Sequence, residues 1–399
     1  MSENKNRNEN IKIFKECLKK QCILHSTMQP QDVVKLCFQA AYGAEHLLTN
    51  VDAARDFFEK EYEGTESVAG PLYEQLSGQV FRVNLAAWKQ REFPKEWLFG
   101  MFAATAGRIS AIAGSTNVGK VNVTPKKDGS NIDGMTGKNK KVLFEEYLKA
   151  AEEMLFVEDN CNFTWEEWRR YLADYCSKEP EAVHHSEIYR AKEHPAYRIV
   201  RGEYIRLLPI LEKICEMRKQ RPQKSPGNAA PFVIAIDGRA AAGKTTLAAA
   251  LQQILQASVI HMDDFFLPME LRSKERFLEP GGNVHYERFR EEVLSFLRSD
   301  RKFSYRKFDC SCMDFNGEIQ VEAGEWRIVE GSYSLHPVFG EYADLKIFCD
   351  VAPDEQMRRI EKRNGTRMAE MFRTRWIPLE EAYFEACSIK EKAGYVMET

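Results

Sequence analysis

The sequence predicts a two-domain α/β chain, with a parallel-sheet domain in the C-terminal half preceded by a mostly helical domain. Three observations predict it. The run Phe232–Ile236 is five apolar residues without alternation, as in a strand buried on both faces of a parallel sheet. It leads into Gly238-x-x-x-x-Gly243-Lys244-Thr245 and then a helix-forming run. Before it, Gln220–Ala230 (QRPQKSPGNAA) is polar, holds two prolines and a glycine, and lacks apolar periodicity. That stretch reads as a linker, which sets the domains at 1–220 and 230–399. At 399 residues the chain exceeds one ordinary core.

The N-terminal elements follow from spacing. Apolar residues recur at three and four positions in Asn10–Gln21, Asp32–Leu48, Trp97–Ile112 and Val142–Phe156, which predicts four helices. Tyr204–Met217 reads as a fifth, with Pro209 marking a kink or its true start. VFRVN, containing Arg82 and Asn84, is strand-like. Residues 117–141 are rich in Gly, Asn, Asp and Lys and read as a long loop.

Composition narrows the class. Apolar residues make up 44% and charged residues 29%, with a net charge of −3. This is ordinary globular composition, and its charge argues against nucleic acid and anionic membranes as partners. No apolar run is long enough to span a bilayer, and the ten scattered cysteines form no C-x-x-C pair. A cytoplasmic protein with reduced thiols is the expectation.

The glycine-rich turn is a P-loop in its proper setting, strand before and helix after. Gly238 and Gly243 let the backbone turn so that N–H groups of Ala240, Ala241, Ala242, Gly243 and the following residues point at phosphate oxygens. The helix N-terminus adds its dipole. Lys244 supplies charge for the β- and γ-phosphates, Thr245 a hydroxyl for Mg²⁺, and Thr246 continues the cradle. ATP and Mg²⁺ are therefore the expected cofactors. Gly114-Ser-Thr-Asn-Val-Gly119-Lys120 repeats the spacing, but Val121 follows where the hydroxyl is needed, and the preceding run reads as helix.

Four further stretches fit phosphoryl transfer. Ser258–Pro268 (SVIHMDDFFLP) is a short strand ending in Asp263 and Asp264, at the sheet edge where ligands bind. A carboxylate there can take the proton of an attacking hydroxyl. Trp326–Ser332 (WRIVEGS) is a second strand ending in a carboxylate, Glu330, suited to Mg²⁺. Tyr305–Asp309 (YRKFD) offers Tyr305, Phe308 and Asp309 for an acceptor pocket, or else is a surface hairpin. Arginines 358, 359, 363, 367, 373 and 375 surround Asn364-Gly365 and read as a basic lid for phosphate, with two or three of them in contact.

Together these stretches resemble the uridine kinase-like branch of the P-loop kinases, which includes pantothenate kinase and phosphoribulokinase. The resemblance covers residues 231–399 through IDGRAAAGKTT, DDFF, YRKFD, IVEG and the arginine lid ending in WIPLEEAYF. It implies a doubly wound parallel sheet and transfer of the ATP γ-phosphate to the hydroxyl of a small molecule, a nucleoside such as uridine or a related alcohol. It further implies Asp263 as general base, Lys244 and Thr245 at phosphate and metal, Glu330 supporting Mg²⁺ with Asp264 beside it, and Arg363 and Arg367 in the lid. Uridine kinases carry a histidine shortly after the tyrosine–aspartate pair. Here the stretch is Phe308-Asp309-Cys310-Ser311-Cys312-Met313, which leaves the acceptor open. A regulatory NTPase and a nucleic-acid end kinase are the rival readings, and a homo-oligomer stays open.

The N-terminal half resembles no family. Its polar clusters are His25, Gln31, Asp32, Gln39, Glu45 and His46, and the segment Glu181–Arg201, which holds His184, His185 and His194. Five of eight histidines fall in these two stretches, but no metal-ligand spacing appears. Structural roles or a small-molecule site around HHSEIYR are the two readings.

Overall fold

The structure, a computed structural model, describes residues 2–44, 50–107, 137–157, 162–221, 230–310 and 312–399. Glu45, His46, the second glycine–lysine repeat at 114–120 and most of the expected loop and linker lie outside the described residues. The described residues form two compact units, one ending at Leu208 and one running from Pro209 to Thr399. No helix among them is long and apolar enough to cross a membrane.

The first unit contains α1 (Ser2–Leu24), α2 (Pro30–Tyr42), α3 (Val51–Gly64), β1 (Tyr73–Ser77), β2 (Val80–Asn84), α4 (Leu85–Gln90) and α5 (Lys95–Thr105). It continues with α6 (Gly137–Val157), α7 (Trp165–Tyr175), α8 (Glu187–Glu193), β3 (Tyr197–Arg201) and α9 (Gly202–Ile205). It is mainly helical, as the spacing predicts, around a small antiparallel sheet ordered β1-β2-β3. The core joins α1, α2 and α6 through Phe14 against Tyr147, at 4.8 Å between ring centroids, and Phe38 against Phe144, at 5.9 Å. In α5 every residue from Trp97 to Thr105 is buried, so that helix runs through the interior instead of showing a wet face.

The second unit begins with α10 (Leu208–Gln220), whose second residue is Pro209; the proline marks the helix start. The sequence reading set the boundary at the linker after residue 220. The helix instead groups with the parallel-sheet unit because its end is pinned there. Arg218 pairs with Glu325 and lies 4.8 Å from the Trp326 ring, and Arg221 pairs with Asp344 and lies 4.8 Å from the Phe232 ring.

Then come β4 (Phe232–Gly238), α11 (Lys244–Leu255), β5 (Ser258–His261), α12 (Lys274–Leu278), α13 (Tyr286–Phe289), β6 (Phe303–Asp309) and β7 (Asp314–Val321). The unit closes with β8 (Trp326–Glu330), β9 (Leu345–Asp350), α14 (Pro353–Met371), α15 (Ile377–Cys387) and β10 (Tyr395–Glu398). The main sheet is all parallel, ordered β10-β9-β4-β8-β5. Every residue of β4 and β8 is buried, Asp237, Arg327 and Glu330 included, which explains the apolar run Phe232–Ile236. The chain leaves β4 toward β5, returns to β8, then crosses β4 to reach β9. This is a doubly wound parallel arrangement, and its switch point sits at the C-terminal ends of the central strands. β6 and β7 form a separate antiparallel hairpin.

Candidate active site

The P-loop begins where β4 meets β9. Gly238 has φ +133°, and a Cβ there would lie 2.0 Å from the Cys349 carbonyl oxygen, so only glycine fits. Gly238 and the fully buried Ala242 shape the turn from behind, while Ala240, Ala241, Gly243, Lys244, Thr245 and Thr246 line a cavity of about 670 Å³. Lys244 opens α11, and its Nζ donates to the carbonyls of Gly238 at 2.7 Å and Arg239 at 3.0 Å, holding the ammonium across the loop.

The edge carboxylates separate into two kinds. Asp263 and Asp264 sit in a 3₁₀ turn, Met262–Phe265, directly after β5. Three residues per turn point neighbouring side chains about 120° apart. Asp263 faces the cavity. Its carboxyl is held above the usual range, first by loss of surrounding water and then by the negative charge of Glu330, although the residue keeps an exposed face. Asp264, expected to support metal, is turned away: it is 6% exposed, is absent from the lining and accepts the Tyr305 hydroxyl at 3.0 Å. Glu330 lines the cavity at the end of β8, with the Thr245 hydroxyl 3.3 Å from one oxygen and 3.4 Å from the other. The imidazole Nδ1 of His261 lies 2.5 Å from Glu330, and that contact raises the histidine pKa.

The acceptor-pocket residues move by a few positions. Tyr305 and Phe308, at 1% and 2% exposure, turn into the core, because the pleat of β6 alternates with a shift between Arg306 and Phe308. Asp309 is also off the cavity. The same hairpin contributes Cys310 and Met313 instead, and Phe266, Arg272, Phe277, Asn283 and Tyr333 complete that wall.

The arginine lid also divides. Inside α14, Gly365 breaks the helix with φ 77° and ψ 165°. Before the break, Arg359 and Arg363 line the main cavity. After it, Arg367 lines a different groove with Glu361, Glu370 and Arg373. Arg358 pairs with Glu355, Arg373 with Glu370, and Arg375 lies over the rings of Phe277 and Trp376.

Two carboxylates escaped the sequence reading. Asp237, fully buried, accepts the backbone N–H groups of Gly238 (2.7 Å), Leu335 (2.9 Å) and Tyr333 (3.2 Å) and the Tyr383 hydroxyl (2.8 Å). Glu380 of α15 accepts the Ala240 N–H at 3.0 Å and the Ser332 hydroxyl at 2.8 Å. Neither has a local signal, because apart from the adjacent Gly238 amide on Asp237 their partners lie about 50 to 150 residues away in sequence.

In the first unit the polar clusters meet one another. Asp32, fully buried, accepts His185 Nδ1 at 2.8 Å, Ser186 N at 2.9 Å, Ser186 Oγ at 2.7 Å and Gln29 N at 2.9 Å. His185 Nε2 meets the Tyr197 hydroxyl at 2.8 Å, and that hydroxyl meets Gln39 at 3.2 Å. Burial pushes the His185 pKa down to about 4, so the ring is neutral near pH 7. With Asp32 accepting at Nδ1, the proton sits there, which leaves His185 Nε2 and Gln39 Oε1 as the two acceptors facing the single Tyr197 hydroxyl proton. Arg82 pairs with Glu74 and lies 3.9 Å from the Tyr197 ring, while Asn84 caps α4 through the Ala87 N–H. His25 joins Glu193, and Gln31 bonds the His184 carbonyl. Among the described residues no group of three or more His, Cys, Asp and Glu is placed to hold a metal.

No protein-family model matches the sequence, and none of the curated proteins matches it. Among solved structures the chain is similar to one described as a possible uridine kinase from Bacillus stearothermophilus, at 17% identity over 48% of this chain and 98% of that chain, with a TM-score of 0.36. It is similar to D-glycerate 3-kinase from Cryptococcus neoformans var. grubii serotype A, at 14% identity over 47% and 92%, with a TM-score of 0.35. It is also similar to shikimate kinase from Bacteroides thetaiotaomicron, at 19% identity over 42% and 86%, with a TM-score of 0.23.

Proposed function

We propose that the second unit transfers the γ-phosphate of ATP to a hydroxyl of a small molecule. The observation that carries this reading is one cavity, at the C-terminal edge of a parallel sheet, lined at once by Lys244, Thr245, Asp263 and Glu330. The P-loop N–H groups and Lys244 bind the triphosphate, and Arg359 and Arg363 add charge from α14. Asp263 takes the proton from the acceptor hydroxyl as its oxygen bonds to the γ-phosphorus. The bond from that phosphorus to the bridging oxygen breaks, and ADP leaves with the electron pair. The raised Asp263 pKa makes it a better proton acceptor than an ordinary surface carboxylate.

Thr245 and Glu330 present hard oxygen donors side by side, which fits Mg²⁺ held jointly with phosphates and water. When bound, Mg²⁺ neutralises charge on the phosphates. His261 helps to orient Glu330 through its ring nitrogen Nδ1.

The test is ATP consumption by the whole chain against nucleosides, sugars, hydroxy acids and sugar phosphates, with an acceptor-free control and Lys244→Ala alongside. Turnover that rises with one acceptor class and vanishes in Lys244→Ala supports transfer. Steady hydrolysis indifferent to every acceptor would replace this reading with a nucleotide-sensing NTPase.

A further inference from the structure

The cavity carries a cation that the transfer chemistry leaves unused. Arg272 lies just beyond the 3₁₀ turn Met269–Leu271 and lines the same cavity as Asp263. Its Nε donates to the Leu267 carbonyl at 2.9 Å, and one terminal nitrogen meets the Met313 sulfur at 3.8 Å. These contacts orient the guanidinium without neutralising it. Among the described residues no carboxylate pairs with Arg272. Its neighbour in sequence, Arg276, makes the contrast: it bonds the carbonyls of Gly282 and Val284, pairs with Glu287 and stacks on Tyr286 at 3.6 Å. Arg276 is committed to structure, and Arg272 is not.

The surroundings sharpen the point. Met313 touches Arg272, and Phe266, Phe277 and Tyr333 line the same cavity. A guanidinium with five N–H donors beside an aromatic and thioether wall is short of acceptors. Of the other acids lining the cavity besides Asp263, Glu330 faces Thr245 and His261, and Glu380 holds the Ala240 amide. Lys244, Arg359 and Arg363 lie on the triphosphate side, on the P-loop helix and α14. Arg272 stands on the segment that follows the proposed base. Cys310 registers the proximity of both, since its thiol is affected by the charge of Asp263 and, in the opposite sense, by that of Arg272.

Resting on the kinase reading above, we propose that Arg272 binds an anionic group of the acceptor, a carboxylate or a phosphate, while Asp263 receives its hydroxyl. The acceptor class is then a small hydroxy acid or a phosphorylated alcohol. A neutral nucleoside leaves the guanidinium unpaired against its apolar wall. A planar fork of donors matches either oxyanion in bidentate fashion.

Cys310 supplies a readout independent of turnover, because it lines the cavity and its thiol is exposed. The whole protein is alkylated with iodoacetamide, with and without D-glycerate, ribose 5-phosphate or uridine, and modification at Cys310 is followed by peptide mass spectrometry. The expected result is slower labelling with one anion and no protection by uridine. The carboxylate and phosphate arms tell the two sources apart. Arg272→Gln should abolish that protection and raise KM for the anionic acceptor about 10- to 100-fold. Arg272→Lys should recover part of it, and binding of a fluorescent ATP analogue should stay unchanged in both variants. Protection by uridine equal to that of the anions, protection by neither anion, or an anionic-acceptor KM unmoved in Arg272→Gln overturns the proposal. Phosphorylation of uridine that is indifferent to Arg272→Gln would sink this inference and keep the kinase. Protection of Cys310 by an anion that is never phosphorylated would sink the kinase reading and keep the anion site.

Discussion

Two polar clusters, one in each unit, are built from similar residues and do opposite things with them. Around Asp32 each prominent donor has its acceptor inside the cluster: His185, Ser186 and Gln29 on one carboxylate, Tyr197 on His185. Around Asp263 the groups share a cavity and leave capacity unspent, as with Arg272 and Asp263 itself. Residue types alone do not reveal this difference in role. What separates them is whether the polar groups satisfy one another. A closed network holds segments together. An open one at a sheet edge is where a ligand completes the pairing.

That contrast can be broken at three strengths. The largest effect belongs to Asp263. Asp263→Asn keeps shape and removes the proton acceptor, so kcat should fall about 10²- to 10⁴-fold with nucleotide affinity unchanged. Single-turnover transfer and titration with an ATP analogue measure the two. Unchanged transfer would place Asp263 among the bystanders.

The next test addresses the closed network. His185 is 7% exposed, and its pKa is lowered to about 4, whereas an unfolded histidine titrates near 6.5. Between those values the unfolded chain binds a proton that the folded chain refuses. The contribution is therefore intact above pH 6.5 and is lost progressively as pH falls toward 4, by about 3 kcal/mol. Urea unfolding of the first unit, followed from pH 7.5 to 4.5 in the wild type and in His185→Gln, should show a slope that the variant flattens. A slope identical in both would mean that His185 is not sealed.

The smallest effect concerns Tyr305, which the sequence reading placed in the acceptor pocket and the structure places behind Asp264. Tyr305→Phe should cost about 1 to 3 kcal/mol of stability, since it strips the buried Asp264 carboxylate of a donor. It should leave the acceptor KM unchanged. A tenfold rise in KM at unchanged stability would return Tyr305 to the pocket wall.

How much of this was legible depends on sequence distance. Gly238, Gly243, Lys244 and Thr245 lie within eight residues, so one strand–turn–helix unit presents them together and the pattern is readable. Asp263 was readable as the residue just past a strand, yet its neighbour Asp264 was not distinguishable from it. The difference is a rotation within one 3₁₀ turn, invisible in a pair of identical letters. Among the arginines, Asn364-Gly365 was the signal that the helix breaks and that Arg363 and Arg367 part company. Arg272 carried no pattern at all, and Asp237 and Glu380, though they lie within IDGRAAAGKTT and WIPLEEAYF, gave no sign there of what they hold. Each acquires its surroundings from tertiary contacts, and Asp32 with His185, 153 positions apart, is the same case in the other unit.

Asp237 has one consequence for anyone who would shorten this protein. A single carboxylate grips the first amide of the P-loop, the turn after β8 and the Tyr383 hydroxyl of α15. The C-terminal helix is thus a keystone for a loop that precedes it by more than a hundred residues. A truncated chain that stops before α15 retains the whole glycine-rich motif as written, yet leaves Asp237 without its hydroxyl partner and Ala240 without Glu380, so an intact motif in a fragment is no guarantee of an intact nucleotide cradle.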